Sequence, residues 1–245
     1  MTVELHVLTR NEEQMLPFTL AHYSSFCSRI VVHDSFSTDR TREIAGKFSA
    51  QVVDWDTGDK FNDQAARMLK STCWHGTNAD RVIVIDCDEL VVFPEGVVKT
   101  LEASGPIVKP QGYEMLCYYW PNDGESILAA IPHGARDDKW YGKPIIFSPK
   151  LVGELEFSAG AHSIEWAKGP TGKPLRIPKE ATSPTVKLLH YHHVGPIEEI
   201  ARRYDESRAR FAQVNIDHRW GIQTDGMTEA LRKRELILAK LERVV

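Results

Sequence analysis

Early in the chain, short apolar runs that end in polar residues alternate with longer segments whose apolar positions recur at helical spacing. That alternation predicts an α/β sheet. Val3 to Leu8 reads as the first strand and Glu12 to Phe26 as the helix after it. Arg29 to His33 is the second strand. The polar stretch from Asp34 to Thr41 then leads into a helix ending near Phe48, with Thr38 or Asp39 as its cap. Gln51 to Trp55 is a third, short strand. In the helix that follows it, Phe61, Ala65, Met68, Leu69 and Trp74 form one apolar stripe. Arg81 to Asp86 is a continuous β-branched run suited to a central strand covered on both faces.

The second half is less regular, with Gly and Pro concentrated between Gly134 and Pro184. Glu114 to Trp120, Ile145 to Ser148, Glu154 to Phe157, Ser163 to Trp166 and Val186 to Tyr191 are the strands expected there. Pro196 opens a helix in which Ile197, Ile200, Ala201 and Tyr204 share a face, and Glu198 and Glu199 suit its first turn. Met227 to Leu241 is a final amphipathic helix with Leu231, Leu236, Leu238 and Leu241 as core candidates. With no repeat and no low-complexity tract, residues 1–245 read as one catalytic-sized domain.

Composition narrows the function classes. At 245 residues and 42% hydrophobic, the chain is long enough to bury about 70% of its extended surface without disulfides or a structural metal. Its net charge of -4, from 34 acids against 30 Lys and Arg, is too balanced for a broad nucleic-acid or anionic-membrane surface. Cys27, Cys73, Cys87 and Cys117 are far apart with no CxxC pair, which predicts reduced thiols and a cytoplasmic setting. No 18-residue apolar run and no signal-peptide pattern occurs. The expectation is a soluble protein for which peripheral membrane association stays open.

The strongest chemical signal is Asp86-Cys87-Asp88-Glu89, directly after the apolar strand. If that strand continues through Asp88, the D-x-D spacing directs both carboxylates towards one divalent ion. Their hard oxygens suit Mn²⁺ or Mg²⁺, and such an ion neutralises a departing diphosphate. Glu89 either orients a ligand or caps backbone amides in the turn. A carboxylate pair needs further ligands, and Leu189-His190-Tyr191-His192-His193 supplies imidazoles. Alternation puts His190 and His192 on one face and His193 on the other. His190, at the end of an apolar strand, is the preferred ligand and His192 the second. Thr9, Asn11 and Glu12 after the first strand, with Asp34 after the second, converge on the carboxyl edge where open α/β sheets collect ligands.

Three local matches, Leu8-Thr9-Arg10-Asn11-Glu12-Glu13, Val31 to Thr41 and Asp86-Cys87-Asp88-Glu89, carry a resemblance to family-2 glycosyltransferases and their relatives with the GT-A fold. It covers roughly residues 1–120. The resemblance implies a GT-A-type mixed sheet flanked by helices, with residues 1–120 as the donor-nucleotide and metal half and residues 121–245 as the acceptor side that completes the metal site. It implies that Thr9, Arg10 and Glu12 line the nucleotide pocket and that Asp34 meets the base or ribose. Asp88 would be a direct metal ligand, Asp86 a contact to ribose or metal, and a late histidine the completing ligand. Asp39 is either part of the nucleotide site or only the helix cap. Ser35 and Phe36 stand where many relatives carry Asp and Gly. The segment Gly58 to Arg67 resembles the helix beside the donor, placing Asp59 at the nucleotide and Arg67 near phosphate, where a planar guanidinium fork suits the oxygens.

The implied activity moves a sugar from a nucleotide-sugar donor to a glycan, a lipid-linked sugar or another hydroxyl acceptor, with inversion. Lys143 is placed to meet diphosphate or an acidic acceptor, as are Lys150 and Arg136, and His162 to meet phosphate or acceptor. Tyr118, Tyr119, Trp120, Trp140 and Tyr141 either stack on sugar rings or pack in the core, and Trp140 alone has surroundings polar enough to argue for exposure. For the base that takes the acceptor proton, Glu154 is preferred and Asp137 is the alternate. The rival readings are a metal-dependent nucleotidyltransferase, disfavoured because no Gly-rich phosphate loop follows the first strand, and a non-catalytic nucleotide-sugar-binding protein. A Rossmann oxidoreductase is disfavoured because no G-x-G-x-x-G follows the first strand.

Overall fold

In the computed structural model, which describes residues 1–220 and 225–245, each long apolar run is a strand. The elements in chain order are β1 (Val3–Thr9), α1 (Leu16–Ser24), β2 (Arg29–Asp34), α2 (Thr41–Lys47), β3 (Gln51–Asp54), α3 (Asp63–Thr72), β4 (Arg81–Asp86), β5 (Glu89–Val92) and α4 (Val97–Glu102). There follow β6 (Ile107–Val108), β7 (Gln111–Cys117), α5 (Ile127–Ala130), β8 (His133–Arg136), β9 (Ile146–Phe147), β10 (Glu154–Phe157) and β11 (Ile164–Lys168). The chain closes with β12 (Lys187–Val194), α6 (Ile197–Ala209), α7 (Gln213–His218), α8 (Gly226–Leu238) and β13 (Glu242–Arg243).

The fold is a mixed α/β arrangement in which the expected single mixed sheet is divided. One sheet has the order β3-β2-β1-β4-β9-β6, a second has the order β13-β8-β7-β12-β5, and β10 pairs with β11 apart from both. β1 pairs in parallel with β2 on one side and β4 on the other, so the strand order reverses between β1 and β4. The crevice beyond the carboxyl ends of such strands is where open α/β sheets bind ligands. One apolar core, including Leu5, Ile83, Leu90, Phe147 and Tyr191, runs through both sheets. α6 packs against α8 through Ile200, Ala201, Tyr204 and Ala230, the face expected of α6.

Several expected details are corrected. β4 ends at Asp86, residues 87–88 form a turn, and the chain enters the second sheet as β5 at Glu89. The D-x-D motif is therefore a crossing between sheets and not a strand with two acids on one side. On α3, Met68 is exposed while Lys70 and Ser71 are buried, because the inner side of this helix faces polar groups. The Ser71 hydroxyl accepts the Phe157 amide at 3.1 Å. On α8, Leu231, Leu236, Leu238 and also Leu241 beyond it are exposed. The inward side is Ala230, Arg234 and Ile237, and the small residues allow α6 close approach. A Cβ on Gly226 would stand 2.1 Å from the Ala201 carbonyl oxygen.

Candidate active site

A cavity of about 370 Å³ opens beyond the ends of β1 and β4, within the usual range for small-molecule sites. Thr9, Arg10 and Glu12 line it from the loop after β1, and Trp55, Thr57 and Phe61 from the segment after β3. Asp63, Ala66, Arg67 and Lys70 line it from α3, and Tyr204, Ser207, Arg210 and Phe211 from α6 and the residues beyond it. Phe61 and Phe211 form a ring pair 5.5 Å apart. Their backbones are joined by the Phe61 amide to the Arg210 carbonyl at 2.7 Å and the Ala212 amide to the Phe61 carbonyl at 3.0 Å.

At the D-x-D turn the two aspartates part company. Lys70 Nζ binds the Asp86 carboxylate at 2.7 Å, and Lys143 Nζ reaches it at 3.4 Å. Lys143 is itself buried and also pairs with Glu89 at 2.5 Å. The other Glu89 oxygen accepts the Asp86 amide at 3.0 Å, so Glu89 caps the turn. The Thr19 hydroxyl donates to the Cys87 carbonyl at 2.6 Å and pins the turn to α1. Burial works against the charged form of Asp86, but Lys70 and Lys143 outweigh it and keep its carboxyl below the usual range.

Asp88 faces β12. Its Oδ2 is 3.4 Å from His190 Nε2 and 3.4 Å from His192 Nδ1, and these three side chains form a group whose ligand atoms all lie within 4.8 Å of one another. Burial opposes the charge on Asp88, yet His190 and His192 hold its carboxyl far below the ordinary carboxylate range. The alternation expected of β12 survives a bulge between His190 and His193. His190 and His192 stack with ring centroids 5.8 Å apart, while His193 turns away to Tyr204 at 3.0 Å. One carboxylate oxygen and two imidazole nitrogens are a borderline donor set, which fits Mn²⁺ better than Mg²⁺. Asp86, expected with them, is not in the group: its carboxylate is turned to Lys70 and Lys143 and not to the histidines.

Sequence reasoning passed over Glu114, buried on β7, whose Oε2 accepts His190 Nδ1 at 2.8 Å. Burial disfavours a positive His190, but Glu114 and Asp88 on its two nitrogens push its pKa up to about 9. Glu12 is pushed up to about 8 by burial and then by the charge on Asp88. Lys70 was also missed. Its cue was its place three residues after Arg67, on the same side of a helix. Asp63 lines the cavity with Oδ2 held by the Asn215 amide at 2.8 Å, and it too had gone unremarked.

The remaining nominated residues divide. Arg10 donates to the Ser35 carbonyl at 2.6 Å and pairs with Asp59, which also faces Arg210 at 3.6 Å. Arg67 lines the cavity and pairs with Glu156 at 3.2 Å. Asn11 does not line the cavity: its amide donates to Ser37 Oγ at 2.8 Å and its Oδ1 accepts the Thr38 amide at 2.8 Å, joining two loops. Asp34 is fully buried and saturated by the Ser37 amide at 3.1 Å and Arg42 at 2.9 Å, so it holds the loop after β2 and does not present to a nucleotide. The N-cap position of α2 is Arg40 and not the expected Thr38 or Asp39; Asp39, one residue before it, accepts the Thr41 amide at 2.9 Å and the Glu13 amide at 3.0 Å, tying the start of α2 to the loop after β1.

His162 donates to or accepts nothing from the cavity group; its Nδ1 meets the Trp140 carbonyl at 2.6 Å, and burial lowers its pKa to about 4. Lys143 lies beneath the D-x-D turn and not on the cavity wall. Both nominated bases are displaced. Glu154 is exposed on β10 beside Lys168 at 3.7 Å, and Asp137 accepts the Lys139 and Trp140 amides at 3.2 and 3.3 Å in a turn. Lys150 pairs with Asp80 at 2.6 Å and Arg136 with Asp138 at 2.7 Å, each at the surface. Trp140 is exposed, as its polar neighbours suggested.

A second histidine group, His6, His33 and Cys73, lies beneath α3. His6 bridges Glu4 at 2.9 Å and His33 at 3.0 Å, and Glu4 in turn binds Arg29 at 3.0 Å and Thr77 at 2.9 Å. These contacts make it a buried hydrogen-bonded chain.

No protein-family model matches the chain, and no curated protein matches it. Solved structures do. Glucosyl-3-phosphoglycerate synthase from Mycobacterium tuberculosis, in complex with Mn²⁺, uridine diphosphate and glucosyl-3-phosphoglycerate, is similar at 20% identity over 67% of this chain with a TM-score of 0.38. This chain covers 62% of that one. S. aureus TarS 1-349 is similar at 15% identity over 84% of this chain and 65% of its own, with a TM-score of 0.47. Mannosyl-3-phosphoglycerate synthase from Rubrobacter xylanophilus is similar at 20% identity over 53% of this chain and 44% of its own, with a TM-score of 0.33. Among the described residues, no helix is long and apolar enough to cross a membrane.

Proposed function

We propose that this chain is a metal-dependent glycosyltransferase that moves a sugar from a nucleotide-sugar donor to a hydroxyl acceptor. The observation that carries this reading is the Asp88, His190 and His192 group on the wall of a cavity at the strand-order reversal. The nucleoside lies at the end walled by Trp55, Thr57, Phe61 and Phe211, where aromatic faces suit a base. Its diphosphate then runs towards Asp88, passing the cationic Arg67 and Lys70 on α3.

Asp88, His190 and His192 would hold the metal ion, which would supply charge neutralisation for a departing diphosphate. Arg10 and Arg210 steady the nucleoside end through their shared partner Asp59. Lys70 and Lys143 fix Asp86 so that its exposed edge is available to a ribose hydroxyl. Besides Asp86 and Asp88, the carboxylates on the cavity wall are Glu12 and Asp63, and the acceptor proton passes to one of these two. Glu12→Gln and Asp63→Asn, assayed separately, identify it as the variant that loses turnover while keeping nucleotide affinity.

The decisive experiment titrates nucleoside diphosphates into the protein with and without Mn²⁺, and screens nucleotide sugars for Mn²⁺-dependent release of free sugar. Mn²⁺ tightens nucleotide binding at least tenfold in the intact protein, and Asp88→Ala abolishes that gain. Nucleotide affinity indifferent to metal, together with no turnover of any donor, sinks the reading.

A further inference from the structure

We infer that Glu114 is a positioning residue for the metal group, setting the proton and the orientation of His190. The inference rests on the reading of Asp88, His190 and His192 as metal ligands. Glu114 and His190 are register partners on the parallel strands β7 and β12. The 2.8 Å contact between Glu114 Oε2 and His190 Nδ1 requires the proton on Nδ1 once the ring is neutral. That leaves the Nε2 lone pair on the side where Asp88 Oδ2 stands, 3.4 Å away. An imidazole has two nitrogens and one proton in its ligating form, so a carboxylate on one nitrogen selects the other as the ligand.

The ring's tilt is held as well as its proton. Tyr141 stacks on His190 at 4.7 Å with the planes 23° apart, and His192 lies 15° from parallel on its own contact with the ring. Tyr141 is placed by backbone: its amide donates to the Asp137 carbonyl at 2.9 Å, and Gly112 on β7 lies against the Tyr141-Gly142 peptide, so closely that a Cβ there would meet Gly142 N at 2.1 Å. β7 therefore supplies both the carboxylate that orients His190 and the contact that seats the ring stacked on it.

Burial shows what the carboxylate is for. Glu114 is 2% exposed in the middle of a sheet, where an uncharged side chain of the same size avoids the desolvation of a charge. No Lys or Arg forms a salt bridge with it among the described residues, and its ion-pair partner is His190. An acid kept at that cost with a histidine as its partner acts on the histidine.

The test compares Glu114→Gln and Glu114→Ala with the intact protein in three measurements: Mn²⁺ affinity by paramagnetic titration, nucleoside-diphosphate affinity without metal, and thermal midpoint. Glutamine keeps the size of the side chain, and its amide carbonyl still accepts from Nδ1, so it decides the matter if the alanine variant fails to fold. A positioning role lowers Mn²⁺ affinity 10- to 100-fold in Glu114→Ala and less in Glu114→Gln, and leaves metal-free nucleotide affinity unchanged. Unaltered Mn²⁺ affinity in Glu114→Ala, or in Glu114→Gln where the alanine variant does not fold, overturns the inference. So does an equal fall in Mn²⁺ and metal-free nucleotide affinity, which marks a merely structural residue. If the intact protein and Asp88→Ala bind Mn²⁺ alike, the metal reading itself has failed, an outcome distinct from either.

Discussion

Lys143 carries a charge that two acids share. It is 4% exposed, lies against a fully buried Glu89 and reaches Asp86, and although burial opposes its charge these acids push its pKa up. Removing one member of a buried pair leaves the other uncompensated, at a typical cost of about 3–5 kcal/mol. Lys143→Met therefore lowers unfolding stability by about 3 kcal/mol, read from urea denaturation, although Lys143 itself does not line the cavity. A loss below about 1 kcal/mol contradicts the placement. Lys70→Met has a milder effect on stability, because Asp86 keeps Lys143 and part of its own exposure.

At the level of elements, β7 is where a small change has the widest reach. A methyl at Gly112 has no room, since its Cβ would overlap the Tyr141-Gly142 peptide at 2.1 Å. Gly112→Ala displaces that segment, costs about 1–3 kcal/mol by overpacking, and weakens Mn²⁺ binding because Tyr141 leaves the His190 ring. Unchanged Mn²⁺ affinity in a destabilised Gly112→Ala protein would detach Tyr141 from the site. β1, β2, β4 and β10 are legible in the chain because apolar runs or tight alternation mark them, and the α6 face is legible at helical spacing. β6 and β13 have two residues each, too few for any periodicity, whereas β9, equally short, lies inside the Ile145 to Ser148 strand expected from its apolar run. β7 begins at Gln111 and not at Glu114, and ends before Tyr118 and Tyr119, whose β-forming side chains lie exposed outside it. The α8 leucines mislead for a related reason: small residues determine which side meets α6, and hydrophobicity alone points the other way. Of the site, Asp88, His190 and His192 are legible from local spacing. Glu114 is not, because an acid within a strand reads as an outward position until the partner strand is known.

For the molecule as a whole, buried neutral histidines link stability to pH. Burial, with His6 adding to it, lowers the His33 pKa to about 4, against an ordinary value of about 6.5. The unfolded chain takes up this proton first, so the contribution is complete above pH 6.5 and is lost as pH falls from there towards 4. Between pH 7 and pH 5 this single group accounts for about 2 kcal/mol. His33→Gln should therefore show a smaller drop in unfolding free energy over that interval than the intact protein, and an equal drop would remove His33 from the account. The two sheets share one core, yet the acids of the D-x-D motif divide between them: Asp86 closes a strand of the first and is neutralised by lysines, and Asp88 belongs to the histidines of the second. The spacing of the D-x-D motif is thus the length of a stitch and not the pitch of a strand. One extra residue beside Cys87 would leave each sheet able to form its own ladder, while Asp86 on its lysines and Asp88 on its histidines slid out of alignment.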